Sequence, residues 1–307
     1  MAAVSNALLS HGDTSAKEDV VLNALEIITA QETQISNMVG RSRAINVIHS
    51  YLTQALRTVQ SRAVEEAANY TAIAVPTRAR LTNIVESIAI PFTVSRIQQS
   101  IDHYNGGNEL ETQTMIALKD FANALEFDVV RSSLVTGADG TTAKLNGFIN
   151  AISKSTNTTV HNSGTVWNST ILDGLMKNQF DNSSGEMATD LFMGSFLRNA
   201  TDAFTAKTNV VVTGTSTTLV KTVSVYENAF GTIALHTHRY VQQSSDATGR
   251  ILGLRPEKLA LAWLEMPYID TNLARSGPHD TRAIAGSLTC EVSNQDSNLF
   301  ASGFDVD

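Results

Sequence analysis

The spacing of apolar residues changes several times along the chain, and each change marks an element. From Glu109 onward the pattern is helical, with Leu118, Phe121, Leu125 and Val129 recurring three or four residues apart on one face. Asn108 suits an N-cap, Glu111 follows it three residues later, and Gly137 supplies a stop. These signals predict one helix over 109–136, about 40 Å long at about 1.5 Å per residue. Ahead of it, 44–58 and 79–98 are rich in β-branched residues and read as two long strands flanking a polar tip. Pro76 and Pro91 fit edge or irregular positions rather than a central strand. A two-stranded arm is marginal in water by itself, so it calls for a partner surface. So does the chain's beginning. Thr14 or Ser15 can cap a helix to about Thr33, but its stripe of Val20, Val21, Ala24, Leu25, Ile27 and Ile28 covers only about two turns.

Beyond the long helix the reading is mixed. A turn at 138–142 leads to a short apolar piece at 145–152 and a polar loop or hairpin at 153–165. Helices are predicted at 166–178 and 191–206, and strands at 210–213, 219–225, 232–239, 251–263 and 283–292. Helices and strands come in blocks without a βαβ rhythm, which makes the fold class α+β.

Composition narrows the function. Among 307 residues, 42% are apolar, enough for real cores, while only 17% are charged. The net charge of −8 argues against a surface built to grip a phosphate backbone. Charge is also uneven: residues 1–44 carry −2, residues 45–97 carry +2 and the remainder carries −8. A positive excursion on a negative body suits contact with another copy of that body. The N-terminus lacks a basic, apolar leader, and no run approaches the roughly 18 apolar residues a membrane span needs. The expectation is a soluble protein made in a cytoplasm, with no membrane partner.

Candidate chemistry is sparse. Cys290 is the sole cysteine, so one chain can form neither a disulfide nor a cysteine-based metal site. His236 and His238, two apart on a predicted strand, share a face and are the best-placed pair for an ion, yet no third ligand lies near them in sequence. There is no GxSxG elbow, phosphate-cradling glycine loop, HExxH or CxxC motif. Glu65 and Glu66 point to opposite sides of an extended chain and make no acid–base pair. No catalytic residue, metal or cofactor is expected.

Six segments in order resemble the major capsid proteins of tailed double-stranded DNA phages, which have the Hong Kong 97-type fold. The branch they most resemble is the family named after phage SU-ten. The segments are KEDVVLNALEIITAQETQI, RLTNIVESIAIPFTVS, ELETQTMIALKDFANALEFDVVRSSLVTG, KLNGFINAI, VYENAFGTIALHTHRYV and LARSGPHDTRAIAGSLTCEVSN. The resemblance implies an N-terminal arm at 1–44, an extended loop (a long β-hairpin) at 45–97 and a peripheral domain at 98–189 around the spine helix 109–136. It further implies an axial domain at 190–282, and a C-terminal strand and tail, 283–307, returning to the peripheral domain. The implied function is that of a structural shell protein, the alternative being another phage structural component such as a tail or decoration protein. Copies form pentamers and hexamers of an icosahedral head enclosing DNA, in non-specific proximity to that DNA, with cement or scaffolding proteins as candidate partners. The founding member's lysine-based crosslink does not carry over, because residues 45–97 contain no lysine. Charge placement then assigns Arg62, Arg78 and Arg80 to an acidic surface of an adjacent subunit, with Glu126 and Asp128 on the long helix as counterparts.

Overall fold

The computed structural model describes residues 33–57, 60–69, 72–101, 108–138, 140–182, 186–204, 224–243, 246–271, 273 and 277–305. The helix expected at 15–33 lies outside these residues apart from Thr33, the strand expected at 210–213 lies wholly outside them, and that expected at 219–225 does so apart from 224–225. The described chain opens with the short helix α1 (Gln34–Met38) and strand β1 (Gly40–Arg43), then β2 (Ile48–Gln54) and β3 (Arg78–Ile84), which runs almost directly into β4 (Glu86–Ser95). Helices α2 (Arg96–Ser100), α3 (Glu109–Arg131) and α4 (Phe148–Ile152) lead to β5 (Thr158–Thr165) and α5 (Ser169–Asn182). Next come β6 (Asp190–Met193), α6 (Ser195–Phe204), β7 (Val225–Asn228), β8 (Gly231–Thr237) and β9 (Gly249–Leu254). The last strands are β10 (Leu259–Asp270), β11 (His279–Val292) and β12 (Leu299–Phe304).

Strands assemble into a four-stranded sheet ordered β1-β10-β11-β4, a six-stranded sheet ordered β5-β12-β9-β6-β8-β7, and the separate β2–β3 ribbon. Pro91 sits in β4, at the edge of its sheet, where a missing N–H costs no ladder bond. Helix α3 begins where its cap predicts, with Asn108 Oδ1 accepting from the Leu110 amide. Phe121, Leu125 and Val129 face the core as the spacing requires, joined by Leu110, Ala117 and Val130, whereas Leu118 is exposed.

Four expectations are corrected. Helix α3 ends at Arg131, not Thr136. Ser132 turns extended, and its carbonyl accepts from the Gly147 amide and from Asn150 Nδ2, both at 2.8 Å. Gly147 fits there because it lacks a side chain; a Cβ would lie 2.8 Å from the Ser132 nitrogen. The helix predicted over 191–206 splits, because Leu191–Met193 is a central strand bonded to β8 on one side and β9 on the other. The strand predicted over 251–263 also splits, at a 3-10 turn over Pro256–Lys258, and its halves join different sheets.

The fourth is the strand predicted over 79–98, which breaks at Val85: its first half, β3, stays in the ribbon with β2, and its second half, β4, pairs with β11 in the four-stranded sheet. The six-stranded sheet draws β5 from the expected peripheral range and β12 from the expected C-terminal range, while β10, inside 190–282, belongs to the four-stranded sheet. A core around α3 and the four-stranded sheet includes Phe148, Trp263, Ile284 and Leu288, and a second beneath α5 and α6 includes Leu172, Leu197, Ile233 and Phe304. Phe192, Leu252 and Phe300 of the six-stranded sheet pack into the first core and tie the halves together.

Strand β12 passes β5 through a bulge, the partner of Ser302 being Val160 and that of Phe304 being Thr165. Gly303 occupies the bulge at φ 95°, and a Cβ there would lie 2.1 Å from the His161 carbonyl oxygen. Gly303→Ala is therefore expected to cost more than about 1 kcal/mol in chemical denaturation, since backbone strain and steric contact act together. A variant as stable as the parent would contradict the bulge geometry.

Candidate assembly interface

The β2–β3 ribbon has two unlike faces. Antiparallel pairing sets Tyr51 opposite Leu81, Leu52 opposite Arg80 and Gln54 opposite Arg78. Alternation then sends His49, Tyr51 and Asn83 to one side and Ile48, Leu52, Arg78 and Arg80 to the other. The first side docks on β11. His49 Nε2 lies 3.2 Å from Glu291 Oε1, the Tyr51 hydroxyl accepts from the Val292 amide, and Asn83 Nδ2 donates to the Cys290 carbonyl at 2.8 Å. Asn83 also accepts from the Asn146 amide, so one buried amide side chain joins the ribbon, the segment after α3 and β11. Burial pushes the Tyr51 hydroxyl above its usual range. Asn83 was missed in the sequence, although an asparagine inside a β-branched run is itself a signal, since strands disfavour it.

On the second side, the hydrogen bonds of Arg78 and Arg80 among the described residues stay within the ribbon. Arg78 donates to Gln54 Oε1 and Arg80 to Ser50 Oγ, and both arginines are exposed. Leu52 is 65% exposed and Leu56, just past the strand, 94%. Ile45, Ile48, Val64, Ile73 and Val75 are exposed on the same excursion. Single exposed apolar residues are ordinary, but a row of them on a thin projection marks a surface that another molecule covers. Arg62 is exposed near the far end of the excursion, with no hydrogen bond or ion pair among the described residues.

The expected counterparts on α3 are corrected. Glu126 lies inside, with no exposed surface. Its Oε1 accepts from the Ile35 amide at 2.8 Å and from His238 Nε2 at 2.9 Å, and its Oε2 accepts from the Ser36 amide at 3.0 Å and from the Ser36 hydroxyl. Burial alone would raise the carboxyl; the hydrogen bonds from His238, Ser36 and Ile35 outweigh it and hold the group below the usual range. Asp128 is half-buried, with its carboxyl pushed up by burial and partly offset by Lys144. Burial likewise raises Glu86, which accepts from the Leu145 amide. The acids that α3 does present to solvent are Glu111 and Asp120.

His236 and His238 do not converge. His236 Nε2 lies 2.9 Å from Asp190 Oδ1 and its ring stacks on Phe192, while His238 meets Phe192 edge-on and turns to Glu126. Each imidazole has its own carboxylate, and among the described residues no group of three or more possible ligands gathers. One turn past Glu126, Arg131 grips Asp246 with two hydrogen bonds of 2.7 and 2.8 Å. That grip lowers the Asp246 carboxyl to about 2. No described helix is long and apolar enough to cross a membrane.

Comparison with known proteins agrees with this architecture. A family model described as SU10 major capsid protein matches residues 8–304. The fold is similar to the capsid of a native GTA particle, with a TM-score of 0.66 at 12% identity, covering 96% of this chain and 98% of the other. It is similar to the capsid of Myoviridae phage XM1, with a TM-score of 0.63 at 10% identity, covering 93% and 97%. The holo-SrpI encapsulin complex of Synechococcus elongatus PCC 7942 scores 0.63 at 9% identity, covering 94% and 93%. No curated protein matches the chain by sequence.

Proposed function

Because this chain belongs to the SU10 major capsid protein family, we propose that its copies assemble as pentamers and hexamers into the closed icosahedral head of a phage, holding double-stranded DNA. The observation that carries this reading is the ribbon's outward face, where Leu52, Leu56, Arg78 and Arg80 are exposed. The other face rests on β11 through His49, Tyr51 and Asn83, and an adjacent subunit covers the outward one. The positive excursion lies over the negative body of that neighbour, with Arg62, Arg78 and Arg80 toward acids such as Glu111 and Asp120. Glu126 is excluded as a counterpart by its burial, and Asp128 is disfavoured by its partial burial. DNA inside such a shell touches a protein of net charge −8 only non-specifically.

Exposed ion pairs contribute about 0–1 kcal/mol each, so their effect must come from repetition around a symmetric surface. The double variant Arg78→Glu/Arg80→Glu is expected to fold with an unchanged melting temperature and to yield far fewer closed shells in negative-stain micrographs. Normal shells of undiminished heat resistance would refute the electrostatic part. Tubes or small free rings from the parent chain would refute the shell itself.

A further inference from the structure

Besides burying Ile35 in the core, the start of α1 gives its first free amides to a single carboxylate whose acceptor positions are all in use. Glu126 on α3 receives two donors on each oxygen: Ile35 N–H and His238 Nε2–H on one, Ser36 N–H and Ser36 Oγ–H on the other. The imidazole orientation is settled by its other nitrogen, since His238 Nδ1 accepts from the Tyr240 amide and Nε2 therefore carries the hydrogen. His238 follows directly on β8, and its own amide donates to the Met193 carbonyl of β6. One side chain thus joins α1, α3 and the six-stranded sheet.

We propose that Glu126 is a proton-operated latch that holds α1 against α3 while ionised and lets it go when protonated. A neutral carboxylic acid carries a hydrogen on one oxygen, and at this site only the Ser36 hydroxyl can accept it, by turning its own hydrogen away. The Ile35 and Ser36 amides and His238 stay donors and are left with an uncharged, weaker acceptor. The member weakened most is α1, five residues long with no cap of its own from Thr33, which keeps Ile35 and the adjoining Val39 in the core as its remaining hold. The surrounding groups do not substitute for it. Helix α1 (QISNM) and α4 (FINAI) bring no titratable side chain, and α2 contributes Arg96. The segment after β8 brings His238 and, ring to ring at 5.7 Å, Tyr240. From β11 comes Cys290, its thiol raised by burial and then by Glu86, Asp128 and Glu126. On α3 itself Asp128 is countered by Lys144, and Arg131 is committed to Asp246.

The sign follows from the depressed carboxyl. Its hold on α1 is complete above the ordinary glutamate value of 4.5 and is lost as the pH falls from there through the lower value of the closed latch. This holds whether or not the chain builds a shell.

Hydrogen exchange by mass spectrometry on the full chain tests it, from pH 7 down to pH 3, with intrinsic exchange corrected for. Protection of the peptide spanning 34–39 is expected to fall at least tenfold below pH 4.5, while peptides of β10 and β11 keep theirs. Glu126→Gln should show low, pH-independent protection at 34–39, because an amide turns two hydrogens toward donors. Ser36→Ala removes one donor and should move the midpoint toward pH 4.5; it decides the matter if the glutamine variant fails to fold. Flat protection across the range in the native chain, or an unmoved midpoint in Ser36→Ala, overturns the latch.

Discussion

Replacing Leu52 and Leu56 together by aspartate is expected to abolish shell assembly and leave the subunit folded. Both side chains are already exposed, at 65% and 94%, so the isolated subunit loses no core contact. Each leucine is worth about 1.5–3 kcal/mol once fully covered, and an aspartate buried without a partner costs a further few kcal/mol. That loss recurs at every subunit contact of a symmetric surface. Sedimentation of the purified chain would show free subunits where the parent shows shells, with an unchanged melting curve for the subunit. Leu56→Arg serves as the control for charge: if the ribbon lies on an acidic neighbour, it should impair assembly less than Leu56→Asp. Wild-type yields of shells from the double aspartate variant would mean that this face is not buried by a neighbour.

Phe192→Ala is expected to cost about 3–5 kcal/mol, a large share of the roughly 5–15 kcal/mol that separates folded from unfolded chains. The ring has no exposed surface, sits in β6 between β8 and β9, and packs into the core around α3. It also separates the two imidazoles, stacking on His236 at 5.0 Å and meeting His238 edge-on at 5.9 Å. Losing it leaves a cavity at the join of the two sheets and frees His238 to tilt away from Glu126. Urea denaturation measures the loss, and a change under about 1 kcal/mol would mean that the sheet collapses around the gap. Phe192→Leu should recover much of the stability, since it refills most of the volume.

Phe192 also illustrates why parts of the fold were hard to read. A short fully apolar run has the same appearance in a buried strand and in a buried helix, and only its two flanking strands decide. The opposite holds for α3, whose 23 residues carry their own cap, period and charge pattern. The ribbon was legible only in part: the two runs flanking a polar tip are local, but the departure of β4 from 79–98 to pair with β11 is set by a strand about 190 residues away. The sequence named Arg78 and Arg80, but it took register to set Arg80 beside Leu52 on one face. Glu126 was misread for a related reason. Charge alone groups it with the other acids of the helix, although a helical wheel places it between Val129 and Val130 on the buried face, and nothing nearby in sequence announces its donors.

The chain alone determined what depends on neighbours within a few residues. This includes the existence and inward row of α3, the extended arm, the α+β class, and a collinear set of segments sufficient to point to the capsid family. Tertiary structure decided what depends on hydrogen-bond partners far along the chain. Helix α3 stops at Arg131 because Gly147 and Asn150 take the Ser132 carbonyl. Glu126 is interior because Ile35, Ser36 and His238, between 90 and 112 residues distant, surround it. A buried polar group must be satisfied wherever its partners lie, and local periodicity carries no record of them.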